Sequence, residues 1–161
     1  MRLRLAFPLT FYLLSMPAFA TCVGLGCSCS VSTTATNFGI YNPIAIVSAQ
    51  SNGIVTVTCS ALVVSALVAY TVDLSTGSSG TYAQRTLQSG PTNLNYNLYT
   101  NSSHTLVWGD GTAGTNRISD GYTIDILAPI VRDYTVYGLI PAQQAVGTGT
   151  YQDSIMATVT F

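Results

Sequence analysis

The sequence contains no lysine and no glutamate, and charged residues make up only 7% of its 161 positions. Beyond residue 20 it carries three arginines and six aspartates, hence a net charge of −3. This balance excludes the basic surface that nucleic-acid binding needs. Lysine and glutamate favour helices, whereas threonine, valine, tyrosine and isoleucine favour strands, so the composition predicts an all-β fold.

Long apolar runs are also missing beyond residue 20. The nearest candidate covers residues 61–70, and a bilayer-spanning helix needs ~20 apolar residues. We therefore expect that the chain is not an integral membrane protein.

The first twenty residues have the pattern of a secretory signal peptide. Arg2 and Arg4 precede an apolar run over residues 5–16, and residues 18–20 (AFA) fit a small-x-small cleavage site. We predict a signal peptide over residues 1–20 and one domain over residues 21–161. A retained membrane anchor is the alternative.

No set of residues typical of an enzyme or a metal site is visible. His104 is the single histidine, and no G-x-S-x-G nucleophile motif occurs. The aspartates are scattered without the spacing of a calcium loop or the facing carboxylates of a glycosidase. Residues 109–114 match G-x-G-x-x-G but lack the strand-to-helix context of a dinucleotide site. We expect no enzyme, no cofactor and no metal.

Four cysteines follow the predicted cleavage site, and an even number in an exported chain indicates disulfides. Four cysteines allow three pairings. We favour Cys29–Cys59, which would join the first strand to the second, together with a local Cys22–Cys27 bridge. Cys27–Cys59 is the main alternative, because Cys27 and Cys29 would share a strand face. The C-x-C spacing is not that of a structural zinc site.

Period-2 alternation of apolar and polar residues recurs along the chain, with turn signals every 8–12 residues and no convincing helical period. This pattern predicts a single β-sandwich domain with Greek-key connections. The predicted strands are residues 23–31, 54–59, 67–74, 82–87, 94–99, 122–127, 134–140 and 155–161.

The last of these segments has one apolar face, made of Ile155, Ala157, Val159 and Phe161. A chain end frays unless it is tied into a sheet, so a strand that reaches Phe161 needs partners on both sides. It is either an ordinary final strand or a strand whose open edge another protein completes.

The order and spacing of several motifs resemble the spore coat protein U domain family. The resemblance covers residues 29–161 and is carried by a set of short segments and single positions. They are Cys29, residues 37–41 (NFGIY), 53–59, 72–77 (VDLSTG), Gly80, Tyr82, Arg85, Leu87, 94–99 (LNYNLY), 108–111 (WGDG), 134–141 and 149–153 (GTYQD).

This resemblance implies an immunoglobulin-like sandwich that lacks its last strand and exposes a hydrophobic groove. The family includes secreted spore-coat proteins and subunits of archaic chaperone–usher pili. In such pili a periplasmic chaperone fills the groove first, and a strand of the neighbouring pilus subunit replaces it at the outer-membrane usher, a form of β-augmentation. We expect Ile155, Val159 and Phe161 to line the acceptor groove. Val23 and Leu25 are the candidate donor residues, although few residues precede Cys29.

Three functions follow from the resemblance. The first is an exported subunit of a chaperone–usher fimbria, which passes through the periplasm to the cell surface and serves attachment or biofilm formation. The second is a secreted coat protein. The third is a tip adhesin that binds a ligand through loops at Tyr82, Tyr99 and Trp108, although a tryptophan is more often part of the core.

Overall fold

The computed structural model describes residues 21–62, 65–125 and 127–161. The predicted signal peptide lies outside the described residues. Within them the chain forms nine strands and one short 3₁₀ turn, Gly77–Ser79. The strands are β1 (Thr21–Val23), β2 (Ser28–Thr34), β3 (Ala49–Ser60), β4 (Ala66–Leu74), β5 (Arg85–Ser89), β6 (Thr92–Tyr99), β7 (Ile118–Ile124), β8 (Ile130–Ile140) and β9 (Ala157–Thr160).

The strands form two antiparallel sheets that pack face to face. One sheet has the order β2-β3-β8-β6-β5, and the other is built around β4. On one side of β4 lies β7, and on the other side β9 and β1 follow one another along the same edge. The prediction of an all-β, immunoglobulin-like sandwich is confirmed.

The core lies between the sheets, where alternating side chains point inward. Val55, Val57 and Cys59 on β3 are at most 2% exposed, while their neighbours are more open. The same alternation buries Tyr70, Val72 and Leu74 on β4 and Leu94, Tyr96 and Leu98 on β6. These inward faces are the ones that period-2 alternation predicted.

The predicted strand over residues 23–31 was wrong, because the structure divides it into β1 and β2. Gly26 has a φ of +68°, which a residue with a side chain rarely adopts, and Cys27 donates a backbone hydrogen bond to Gly24. The chain therefore turns between the strands and crosses from one sheet to the other. Alternation alone did not reveal this turn, since the apolar spacing continues through it.

Two disulfides fix this part of the chain. Cys29 pairs with Cys59 between β2 and β3, and Cys22 pairs with Cys27 across the turn. These are the two pairs that we favoured from the cysteine positions.

Candidate functional site

A groove opens on one side of the sandwich, where the end of the edge strand β2 (Thr33 and Thr34) faces the start of the edge strand β9 (Ala157). Strand β2 pairs only with β3, and β9 pairs only with β4. Among the described residues, no strand pairs with the outer edge of either one. The backbone groups on these edges are therefore free to accept another strand.

The groove opens directly into the hydrophobic core. A cavity of about 320 Å³ lies between Thr33, Thr34 and the residues that lead into β9. Its floor contains core side chains from both sheets: Val55, Leu74, Leu98 and Val136. A second cavity of about 700 Å³ continues it between residues 35–43 and 146–153. The core thus lacks a cover along this side.

The residues that we predicted as the groove wall lie at different depths. Ile155 and Ala157 line the cavity. Val159 is partly buried and packs against the core farther along β9, beyond the residues that line the cavity. Phe161 is 45% exposed. Of the three predicted groove residues, the structure therefore brings only Ile155 to the open cavity.

The opposite wall was not predicted from the sequence. It is formed by residues 33–36 together with Phe38, which packs edge-to-face against the ring of Tyr96 at 6.1 Å. Residues 35–38 do not belong to a regular strand, so period-2 alternation gives no signal there. The NFGIY segment contributed to the resemblance to the family but was not assigned to the groove.

A carboxylate holds the β9 side of the groove in place. Asp153 accepts hydrogen bonds from the backbone and hydroxyl of Ser78, at 2.9 and 2.6 Å, and from the hydroxyl of Tyr96 at 2.7 Å. Burial, together with the hydrogen bond to Asp153, raises the pKa of Tyr96. These contacts fix the segment just before Ile155 onto the 3₁₀ turn and β6.

The buried guanidinium of Arg85 supports the β9 side of the groove from within the core. Arg85 is fully buried and donates to the carbonyls of Ser75 and Trp108 and to the side chain of Asn97. Among the described residues no carboxylate forms an ion pair with it, and burial lowers its pKa. Ser75 in turn exchanges two hydrogen bonds with Met156, next to Ile155. No local pattern in the sequence predicted that Arg85 would be buried.

The candidate donor residues belong to a folded part of the chain. Val23 pairs with Leu67 within the sheet, and the carbonyl of Leu25 accepts a hydrogen bond from Leu62. Their side chains are 61% and 71% exposed. For Val23 to enter another subunit, β1 would have to leave β4 while the Cys22–Cys27 bridge still constrains the turn.

The remaining candidates do not form a site. Trp108 is fully buried and its indole nitrogen donates to the carbonyl of Val72 at 2.9 Å, so it cannot be a surface contact of an adhesin. Tyr82 and Tyr99 are only partly exposed. His104 packs edge-to-face on Tyr99 and Tyr137.

Within residues 21–62, 65–125 and 127–161 there is no cluster of three or more His, Cys, Asp or Glu residues that could hold a metal ion. No helix in that part of the chain has the length and apolar character needed to cross a membrane.

The fold and the groove define an immunoglobulin-like sandwich that is open along one side. The family model "Spore Coat Protein U domain" matches residues 18–158. "Protein U" of Myxococcus xanthus is 30% identical over 150 residues, which cover 85% of this chain and 79% of that protein. The chain therefore belongs to the spore coat protein U domain family.

A solved structure extends the comparison. It is the CsuC–CsuE chaperone–tip adhesion subunit pre-assembly complex from the archaic chaperone-usher Csu pili of Acinetobacter baumannii. The two structures have a TM-score of 0.54 and 25% sequence identity. The match covers 84% of this chain but only 40% of that chain.

Proposed function

We propose that this protein is an exported, non-enzymatic subunit of a chaperone–usher fimbria whose groove is closed by a β-strand from another protein. The observation that carries the proposal is the cavity between β2 and β9, through which core side chains of both sheets can be reached. Such a combination of free strand edges and exposed core is an aggregation hazard unless a partner covers it.

The partners follow from the proposed assembly. A periplasmic chaperone inserts a strand along β9 first, and a strand of a neighbouring subunit replaces it at the outer-membrane usher. The signal peptide over residues 1–20 directs export, and the oxidising periplasm allows the two disulfides to form. Attachment to surfaces and biofilm formation are the roles that such a fibre serves.

The chemistry of the groove defines the strand that fits it. Most of its lining residues are apolar, and the polar ones include Thr33, Thr34 and Thr36. None of them is an arginine or a lysine, and Asp153 is the single charged residue among them. The matching strand is therefore extended, with alternating apolar side chains that enter the cavity and without an acidic residue near Asp153.

Two adjacent residues provide a sharp test. Ile155 lines the groove, whereas Met156 points to the other face of the chain and is 70% exposed. We would express the wild-type precursor, Ile155→Asp and Met156→Asp in the periplasm with a tagged chaperone of the archaic chaperone–usher class from the same host. Capture of the subunit on the chaperone is then quantified.

The Ile155→Asp variant should lose chaperone capture and soluble yield, because its carboxylate would be buried under the inserted strand. Met156→Asp should behave like the parent. Equal capture of all three proteins would rule out the groove as the chaperone site. The same comparison at Val159, with Thr160→Asp as its exposed control, tests how far along β9 the inserted strand extends.

A secreted coat protein is the second candidate, favoured by the 30% identity to Protein U of Myxococcus xanthus. Genes for a chaperone and an usher beside the gene for this protein support the fimbrial assignment, whereas their absence supports the coat. Of the contacts suggested for a tip adhesin, Trp108 is excluded by its burial, and no feature of the described surface favours the others.

A further inference from the structure

Exposed aliphatic residues follow one another along the segment that connects β2 to β3, beside the wide part of the groove, which Ile40 helps to line. This cluster, the upper apolar end, belongs to the segment between β2 and β3, and its side chains are 73–98% exposed. It consists of Ile40, Ile44, Ile46 and Val47.

The upper apolar end is firmly anchored. The hydroxyl of Tyr41 donates to the carbonyl of Pro141 and accepts from the backbone of Gln144, both at 2.9 Å. Asn42 closes a turn by accepting hydrogen bonds from the backbones of Ile44 and Ala45. Ile44 is thus held outward by a structured turn, although large aliphatic residues normally face the core.

A second cluster lies at the opposite end, and we name it the lower apolar end. It gathers the β1–β2 turn, the start of β4 and the β7–β8 connection, and its side chains are 52–72% exposed. Strand β3 has 12 residues and connects the two ends, which lie on the order of 35 Å apart. The lower apolar end consists of Val23, Leu25, Leu62, Leu67 and Leu127.

The two ends match in size and in charge. Taking about 150 Å² for each fully exposed residue, the residues of each end expose about 500 Å² in total, backbone included. A contact that buried all of it would remove about 1,000 Å², the threshold for a specific interface. Residues 38–51 and 138–152 around the upper end carry no charge, and Asp125 is the single charge among residues 121–125 and 127–129 at the lower end. The charges that would repel a second copy therefore lie mainly on the flanks.

We propose that the upper apolar end of one copy binds the lower apolar end of the next copy of this chain. The contact joins two different surfaces, so it is head-to-tail, and repetition produces an open filament. It goes beyond the proposed function, since it requires no inserted strand. Ile40 also lines the wide part of the groove, so the variants below leave it unchanged. It also gives copies a way to associate while Val23 and Leu25 remain in their own subunit.

The test compares two variants that each disable one end. Ile44→Asp with Ile46→Asp disables the upper end, and Leu25→Asp with Leu62→Asp disables the lower end. The control, Ser32→Asp with Ser119→Asp, adds the same charge at exposed positions midway along the body. Sedimentation velocity of the oxidised mature chain measures association, and far-ultraviolet circular dichroism checks that each variant is folded.

The parent and the control should associate as concentration rises, whereas each end variant should associate at least tenfold more weakly. An equimolar mixture of the two end variants should form dimers and nothing larger, because one intact upper end and one intact lower end remain. A mixture that stays monomeric, or a parent that is monomeric at every concentration, would overturn the proposal. So would association that Ile155→Asp abolishes and both end variants retain. Chaperone capture of the end variants reports on the groove separately.

Discussion

The buried guanidinium of Arg85 provides a quantitative test of how the groove wall is supported. It makes four hydrogen bonds of 2.7–3.0 Å to three acceptors: the carbonyls of Ser75 and Trp108 and the side-chain oxygen of Asn97. Arg85→Met leaves both carbonyls without this donor, while the Asn97 oxygen keeps the backbone donor of Leu98. Each orphaned carbonyl costs about 1–3 kcal/mol.

This destabilisation is offset in part, because replacing Arg85 by methionine removes a charge that is costly to bury. We expect Arg85→Met to lower the free energy of unfolding by about 2–4 kcal/mol. Arg85→Lys keeps the charge, but a single ammonium group cannot serve all three acceptors from one position, so it should be no more stable than Arg85→Met.

Urea denaturation followed by the fluorescence of Trp108, the single tryptophan, measures these changes. Hydrogen exchange should also rise at Met156, since Ser75 connects it to Arg85. The free energy of unfolding of Arg85→Lys could instead lie within about 0.5 kcal/mol of the parent value, as for an ordinary surface substitution. In that case the hydrogen bonds of Arg85 do not support the β9 side of the groove.

Three further predictions concern the rest of the fold. Replacing Cys29 and Cys59 by serine removes a bridge across a separation of 30 residues and should cost about 3–4 kcal/mol in urea unfolding, with no loss as the contradicting result. Burial raises the pKa of Tyr70 to about 12 from 10.0. The contribution of neutral Tyr70 to the free energy of unfolding is therefore complete below pH 10. It is lost between pH 10 and 12, by at most about 1.4 kcal/mol per pH unit. A melting temperature that stays constant over this range would argue against the prediction. Asp153→Asn should cost about 1–2 kcal/mol and increase exchange near Ile155, since an amide accepts fewer hydrogen bonds than a carboxylate.

The sequence predicted the sandwich well because every second side chain of a strand faces the core. Tyr70, Val72 and Leu74 alternate with polar neighbours, and the structure buries all three. The same rule failed at residues 23–31, where Gly26 allows a turn that the apolar spacing conceals.

The groove could be predicted only on its β9 side. Ile155 was visible because it belongs to an alternating segment, whereas Phe38 faces it from an irregular segment that has no period. The burial of Arg85 depends on three acceptors from distant parts of the chain, and no local pattern encodes such a meeting. The aliphatic residues of the upper apolar end lie outside the predicted strands, and only the fold shows that they point outward.

Hydrogen exchange along the two edge strands tests the central claim most directly. Amide exchange would be compared between the mature chain alone and its complex with the periplasmic chaperone. We predict that backbone amides of Ala157–Thr160 and Ser28–Thr34 that do not pair with β4 or β3 exchange rapidly in the lone chain. In the complex, those of Ala157–Thr160 should become strongly protected. If these amides were already as strongly protected in the lone chain as in the complex, the sandwich would close by itself, and the account would be contradicted.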